Sequence, residues 1–115
     1  MSGPVGPYTP VVRAGDWLVV SGQIGLSEGS LVDGGVQAEV RQALTNLAAL
    51  LEAHAATLAQ VVKTTVFLRH LSDYPIMNEV YLEAFGDHRP ARSTVAVAGL
   101  PLGALVEVEA WAYLG

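Results

Sequence analysis

The sequence predicts an α+β domain in which two helices pack on one face of a mixed β-sheet. Runs rich in Val, Thr and aromatic residues are interrupted by two segments whose apolar residues recur every three or four positions. A chain of 115 residues has room for one compact domain and not for two. Hydrophobic residues make up 51% of the chain, which is enough to build a core. We therefore expect residues 1–115 to form a single domain.

The N-terminal part of the chain predicts an arm followed by a hairpin. Residues 1–10 contain three prolines and two glycines and are expected to be extended. Two short β-rich runs, 11–12 and 17–20, flank a Gly-Asp turn, which is typical of a hairpin. After another turn at 28–30, residues 31–32 are a candidate for a third, short strand.

The first helix is the strongest expectation. From Val36 to Ala55 the apolar residues lie on one side of a helical wheel, which predicts an amphipathic helix of about five turns. Thr57 and Gln60 have the spacing of a capping box. Residues 61–68 are rich in β-branched residues and predict a strand.

The rest of the chain predicts a second helix and two final strands. Ser72-Asp73-Tyr74-Pro75 combines a cap candidate with a proline in the first turn, and Gly86 is expected to end that helix. Residues 91–98 and 105–113 are read as strands. The predicted order is ββ(β)αβαββ.

Alternation along the last two strands predicts which side chains face the helices. The small apolar sets are expected to face inward: Val106, Val108, Ala110 and Ala112, with Ser93, Val95 and Val97. The opposite face would carry Leu105, Glu107, Glu109, Trp111 and Tyr113, with Arg92, Thr94, Ala96 and Ala98. Such a face, in a chain with only 15% charged residues, indicates contact with another subunit. The alternative is a half-exposed sheet face that carries a few aromatic residues.

Composition excludes several classes of function. A chain without cysteine has no disulfide, zinc-thiolate site, iron–sulfur cluster or thiol nucleophile. The net charge of -5 argues against nucleic acid as a partner. His54, His70 and His88 lack metal-ligand spacing, so no metal is expected. No apolar run approaches the ~20 residues of a membrane span, and the N-terminus lacks signal-peptide features. The expected location is the cytoplasm, with no membrane partner.

Arg92 and Glu107 are the candidate catalytic pair. The planar guanidinium of arginine matches a carboxylate bidentately, and a nearby glutamate can hold or activate a water molecule. An ordinary cross-strand salt bridge between the two is the alternative, and Glu109 could replace Glu107. Gly22 does not precede a helix, so it is interpreted as allowing a ligand or another backbone to approach closely.

Seven short motifs, in order and nearly end to end, resemble the reactive intermediate deaminase family, the RidA/YjgF group that is also labelled endoribonuclease L-PSP. They are Gly6-Pro7-Tyr8, Val20-Ser21-Gly22-Gln23-Ile24, Gln42-Ala43-Leu44-Thr45-Asn46-Leu47, Val62-Lys63-Thr64-Thr65-Val66-Phe67, Asn78 to Phe85, Pro90-Ala91-Arg92-Ser93 and Val106-Glu107-Val108-Glu109-Ala110.

The resemblance implies a chorismate mutase-like fold and a homotrimer with sites in clefts between subunits. It implies hydrolysis of 2-imino acids, and of the enamines that tautomerise to them, to 2-keto acids and ammonia, with no cofactor or metal. Arg92 would grip the substrate carboxylate and Glu107 would hold the attacking water. The positions that would line the cleft are Tyr8, Gly22, Asn78 and Thr94.

The chain departs from the family pattern in two places. Thr94 stands where many members have cysteine, and residues 86–89 form a shorter stretch than is typical before the Pro-Ala-Arg-Ser motif.

One alternative function is a non-catalytic trimer that binds small metabolites or acts as a chaperone-like surface. A less favoured one is an endoribonuclease, because the acidic chain offers neither a basic groove nor a His pair.

Overall fold

The computed structural model describes residues 6–115, so the predicted arm is described only from Gly6 onward and its first five residues lie outside. The elements are β1 (Val11–Ala14), β2 (Trp17–Gln23), β3 (Leu26–Ser27), β4 (Ser30–Leu31), α1 (Gly35–Glu52), β5 (Val61–Leu68), α2 (Tyr74–Phe85), β6 (Ala91–Ala96) and β7 (Val106–Tyr113). The predicted α+β architecture is confirmed. The third predicted strand is instead a small separate hairpin of β3 and β4.

One mixed sheet of five strands, in the order β1-β2-β7-β5-β6, organises the fold. β6 runs parallel to β5, and the other neighbouring strands are antiparallel. The last two strands of the sequence are therefore not neighbours, because β5 lies between them. β6 is an edge strand, so the side chains on its inner face lie at the rim of the helix layer and keep access to solvent.

α1 is shorter than its apolar period predicted. The helix ends at Glu52, and Ala55 takes a left-handed conformation with φ of 58°. The Ala56 and Ala55 amides donate to the Leu51 and Glu52 carbonyls, which closes the helix in a Schellman arrangement. The predicted capping box of Thr57 and Gln60 is confirmed on the short 3-10 turn that leads into β5.

The core lies between the two helices and one face of the sheet. α1 contributes Val40, Leu44, Leu47 and Leu51, and α2 contributes Met77, Val80, Tyr81 and Phe85. From the sheet come Leu18, Val20, Val66, Leu68 and, as predicted, the alternate β7 residues Val106, Val108, Ala110 and Ala112. Burial of these side chains holds the helices on this inner face of the sheet.

The other, outer face of the sheet has no helix on it within the described part of the chain. It carries Trp17 and Trp111, with ring centroids 6.1 Å apart, and Tyr113, whose ring centroid is 4.9 Å from that of Trp17. Each of these side chains is more than a third exposed. The predicted outer face of β7, which carries Glu107 and Glu109 with Trp111 and Tyr113, is thereby confirmed.

Candidate active site

The inward and outward faces of β6 are the reverse of the prediction. The parallel register pairs Arg92 with Thr64 and Thr94 with Val66, and Thr64 and Val66 are fully buried against the helices. Arg92 and Thr94 therefore point to the helix side of the sheet. Ser93 points to the outer side, where its Oγ accepts a hydrogen bond of 2.8 Å from Lys63 Nζ.

The edge position of β6 explains why the hydrophobic pattern was misleading. The inner face of an edge strand lies at the rim of the helix layer, so polar side chains there keep access to solvent. Val95, assigned inward by its hydrophobicity, is 43% exposed on the outer face. Val95 is thus exposed to whatever covers the outer face, whereas Arg92 is directed towards α2.

Arg92 is surrounded by side chains of α2. Its Nη2 donates a hydrogen bond of 3.0 Å to the Tyr74 hydroxyl, and its Nη1 lies 4.0 Å from Met77 Sδ. The guanidinium carbon is 4.8 Å from the centroid of the Tyr81 ring and 5.5 Å from that of Tyr74. Aromatic faces attract a guanidinium through their quadrupoles, so the cation is held by neutral groups.

Tyr81 is held in place by a contact with strand β5. Its hydroxyl shares a hydrogen bond of 2.7 Å with Thr64 Oγ1, and both side chains are buried. Burial raises the pKa of the Tyr81 phenol, while the Thr64 hydrogen bond and the Arg92 charge oppose that rise. The phenol therefore stays neutral and presents a rigid ring to Arg92.

Arg92 has no acidic partner among residues 6–115. The salt bridge found there joins Arg41 to Glu83, at 3.4 Å between exposed side chains. A cation without a carboxylate partner keeps its charge available for an anionic ligand. The alternative reading of Arg92 and Glu107 as an ordinary cross-strand salt bridge is wrong, because their side chains leave opposite faces of the sheet.

Two buried polar atoms accompany Arg92 without a hydrogen-bond partner in the described chain. They are Asn78 Oδ1, on α2, and Thr94 Oγ1, two residues after Arg92 on the same face of β6. Buried polar groups are nearly always paired, so unpaired ones beside a free cation suit a ligand site. Arg92, Tyr74, Met77, Asn78, Tyr81 and Thr94 are called the arginine cluster below.

Glu107 belongs to a second group of residues on the outer face. A Cβ added at Gly22 would lie 2.6 Å from Glu107 Cδ, so the glycine at this position makes room for the carboxyl group. Burial raises the pKa of Glu107 above its ordinary value, and the negative charge of Glu109 raises it further. Gly22, Glu107 and Glu109 are called the glutamate cluster below.

Tyr8 lies in the segment that leads into β1. This segment runs beside β2, because the Thr9 and Pro10 carbonyls accept hydrogen bonds from Ser21 Oγ and Ser21 N, at 2.7 and 2.9 Å. Tyr8 is therefore close in the fold to the residue that precedes Gly22, and its ring is 43% exposed. Of the six predicted site residues, Arg92 and Thr94 lie on the inner face of β6 and Asn78 lies on α2, the helix that contacts Arg92. Gly22 and Glu107 lie together on the outer face, and Tyr8 lies in the segment beside Ser21.

Sequence reasoning missed the role of the α2 tyrosines. The helical spacing of Tyr74, Met77 and Tyr81 by itself predicts only an apolar stripe that faces the core, yet in the structure these side chains contact Arg92. Tyr74 and Tyr81 lie seven residues apart, on the same face of the helix. Tyrosine at both positions, rather than phenylalanine or leucine, is the signal that could have indicated a polar neighbour.

Neither a metal nor a membrane site is indicated by the part of the chain that the structure describes. No group of three or more His, Asp or Glu residues from 6 to 115 could hold a metal ion. No helix over the same residues is long and apolar enough to cross a membrane. The cytoplasmic location stays a prediction from the sequence.

The α+β fold of this chain is shared with known proteins. The family model described as Endoribonuclease L-PSP matches residues 2–114. The human 2-iminobutanoate/2-iminopropanoate deaminase is 43% identical over 115 residues, which cover 98% of this chain and 84% of the relative. The chain belongs to this family, the RidA/YjgF group.

Solved structures of the family have the same fold. RidA from the Antarctic bacterium Psychrobacter sp. PAMC 21119 matches with a TM-score of 0.93 and 37% identity, covering 96% of this chain and 90% of that one. E. coli TdcF with bound serine matches with a TM-score of 0.93 and 36% identity, covering 98% of this chain and 92% of that one. The resemblance inferred from the seven motifs is therefore confirmed.

Proposed function

We propose that this chain hydrolyses reactive 2-imino acids, and the enamines that tautomerise to them, to 2-keto acids and ammonia. The observation that carries the proposal is Arg92, a cation with no acidic partner in the described chain, beside two buried polar atoms without partners. Relatives named 2-iminobutanoate/2-iminopropanoate deaminase, at 43 and 44% identity, support the same chemistry.

Arg92 is proposed to bind the substrate carboxylate. The planar guanidinium offers parallel donors to both carboxylate oxygens, and Tyr81 and Tyr74 keep it in place. Holding the carboxylate fixes the position of the adjacent imine carbon, which lowers the entropic cost of attack by water. Asn78 and Thr94 supply polar contacts beside the same cleft.

Glu107 is proposed to orient the attacking water and to move the protons. The water oxygen forms a bond to the imine carbon while the carboxylate accepts a proton from the water. The π electrons of the protonated imine move to nitrogen, which gives a carbinolamine. Its nitrogen receives that proton, the carbon–nitrogen bond breaks to release ammonia, and the hydroxyl proton passes to the Glu107 carboxylate as the carbonyl forms. No oxidant or cofactor is needed for this balance. The raised pKa of Glu107 makes its carboxylate a better proton acceptor than that of an ordinary glutamate.

The two clusters are proposed to meet between subunits of a homotrimer. Within one chain the arginine cluster lies on the inner face of β6 and the glutamate cluster on the outer face of β7. A heterologous interface can join two different surfaces of identical subunits and close into a ring. The exposed aromatic and aliphatic side chains of the outer face, which include Trp111 and Val95, supply apolar area for such an interface.

The deciding experiment measures decay of 2-iminopropanoate that an amino-acid oxidase generates from alanine in the cuvette. We expect the decay to accelerate in proportion to added protein, with release of pyruvate and ammonia. Arg92→Ala protein at the same concentration is the control. Binding of pyruvate without accelerated decay would favour the non-catalytic metabolite-binding alternative.

A further inference from the structure

The Tyr74 hydroxyl stands at the open side of the arginine cluster. Tyr74 is the first residue of α2 and is 39% exposed. Its oxygen accepts a hydrogen bond of 3.0 Å from Arg92 Nη2. A phenol oxygen both accepts and donates, so the Tyr74 O–H proton remains to be placed.

The Tyr74 proton has no acceptor among the hydrogen bonds of residues 6–115. The hydroxyl of the other tyrosine in the cluster, Tyr81, is already committed to Thr64 and is buried beneath the guanidinium. Among residues 6–115, only Tyr74 therefore combines contact with Arg92, exposure to solvent and a free donor.

We propose that Tyr74 is a substrate-binding residue whose hydroxyl donates to the same carboxylate that Arg92 binds. This inference rests on the proposed function, since it concerns the substrate carboxylate. Because the Tyr74 oxygen accepts a hydrogen bond from Arg92 Nη2, it lies next to the guanidinium donors. The phenol proton of Tyr74 can rotate towards an anion that is held there. Donation from Arg92 also polarises the phenol, which strengthens the hydrogen bond that the phenol donates.

The contacts of Arg92 and Tyr74 with one carboxylate determine which class of substrate can bind. A group that accepts from both Arg92 and Tyr74 needs two acceptor oxygens and a negative charge, which a 2-imino acid and a 2-keto acid both possess. A neutral imine without a carboxylate lacks the partner for either residue. Because the carboxylate is present in both the bound substrate and the transition state, removal of the Tyr74 hydroxyl weakens both equally and raises KM rather than lowering kcat.

The test compares Tyr74→Phe with the matched control Tyr113→Phe. Tyr113 is a similarly exposed tyrosine on the outer face, packed against Trp17 and outside both clusters. For Tyr74→Phe we expect KM for 2-iminopropanoate to rise about tenfold, the loss of one hydrogen bond to a charged group. We expect kcat to stay within about twofold and the melting temperature to be unchanged. Tyr113→Phe keeps the ring that packs against Trp17 and should match the wild type in KM and kcat.

Calorimetric titration with 2-oxobutanoate, a 2-keto acid, separates this inference from the proposed function. We expect its Kd to rise about tenfold in Tyr74→Phe and to stay constant in Tyr113→Phe. If the wild type binds 2-oxobutanoate but turns over no imine, a weaker Kd in Tyr74→Phe supports the Tyr74 contact while the proposed function fails. Unchanged KM and Kd in Tyr74→Phe, in an active enzyme, would overturn the Tyr74 contact alone.

Discussion

Arg92 and Glu107 leave opposite faces of one sheet, from strands that β5 separates. Two strand spacings amount to about 10 Å. The two residues are also displaced from each other along the strands, because Arg92 pairs with Thr64 of β5 and Glu107 pairs with Phe67. One chain therefore cannot bring the two side chains to one small substrate. A second copy of the chain can supply the missing side.

The first prediction is that two inactive variants restore each other. Arg92→Ala and Glu107→Gln chains are unfolded, mixed in equal amounts and refolded together. If each site takes Arg92 from one subunit and Glu107 from its neighbour, about one quarter of the sites in randomly mixed trimers keep both residues. Deaminase activity should return to roughly that fraction of the wild type.

Two controls accompany the mixing experiment. Each variant refolded alone should stay inactive, and light scattering should give a mass of about three times 12.1 kDa. Trimers of mixed composition that remain inactive would contradict a site shared between subunits. An active monomer would contradict the trimer as well.

The second prediction concerns the Arg92 guanidinium. Arg92→Ala should lower kcat/KM by about two orders of magnitude or more, because charge-assisted hydrogen bonds contribute roughly 1.5–3 kcal/mol each. Arg92→Lys should recover little, since an ammonium cannot reproduce the planar fork. Steady-state kinetics measures both, and the trimer should persist in each variant. Near-full activity in a trimeric Arg92→Ala protein would remove the proposed role.

The third prediction uses the close approach of Gly22 to Glu107. Gly22→Ala places a methyl group 2.6 Å from Glu107 Cδ, so the carboxyl group must move and kcat should fall by about tenfold or more. Gly99→Ala is the matched control, because a Cβ there meets no atom within 4 Å. Equal kcat values for the two variants would show that the position of Glu107 does not matter for turnover.

The fourth prediction concerns the pH dependence of activity. Burial and the charge of Glu109 raise the pKa of Glu107, so activity that needs the carboxylate ionised should fall on acidification at a higher pH than for an ordinary glutamate. Glu109→Gln removes the like charge and lowers the Glu107 pKa. The acid limb of kcat/KM should therefore move to lower pH.

Glu28→Gln is the control for this shift, since Glu28 lies exposed in the turn between β3 and β4. It removes the same charge far from Glu107 and should leave the pH profile in place. An acid limb that is identical in Glu109→Gln and the wild type would exclude Glu107 as the titrating group.

The sequence predicted best those elements whose two sides differ sharply in polarity. β7 alternates small apolar residues with larger charged and aromatic ones, so its inner face followed directly from the period of two. Residue spacing also identified the capping box at Thr57 and Gln60. In both cases the local pattern and the tertiary environment agree.

β6 could not be assigned in the same way. Its hydrophobic pattern pointed the wrong way, because Val95 lies on the outer face and the face that meets the helices holds Arg92 and Thr94. Their inward direction depends on the parallel register with β5, a long-range pairing that composition does not encode. The separation of the two clusters follows from that register and was equally out of reach.

The two tryptophans on the outer face give the protein a built-in optical reporter. The chain contains 2 tryptophans, and both lie edge to face on the sheet surface that the helices leave uncovered. Indole emission shifts to shorter wavelength when water is excluded from the ring. The tryptophan emission wavelength, measured as the unlabelled protein is diluted, therefore reports whether this surface is covered by another subunit. No tryptophan in the core contributes to the signal.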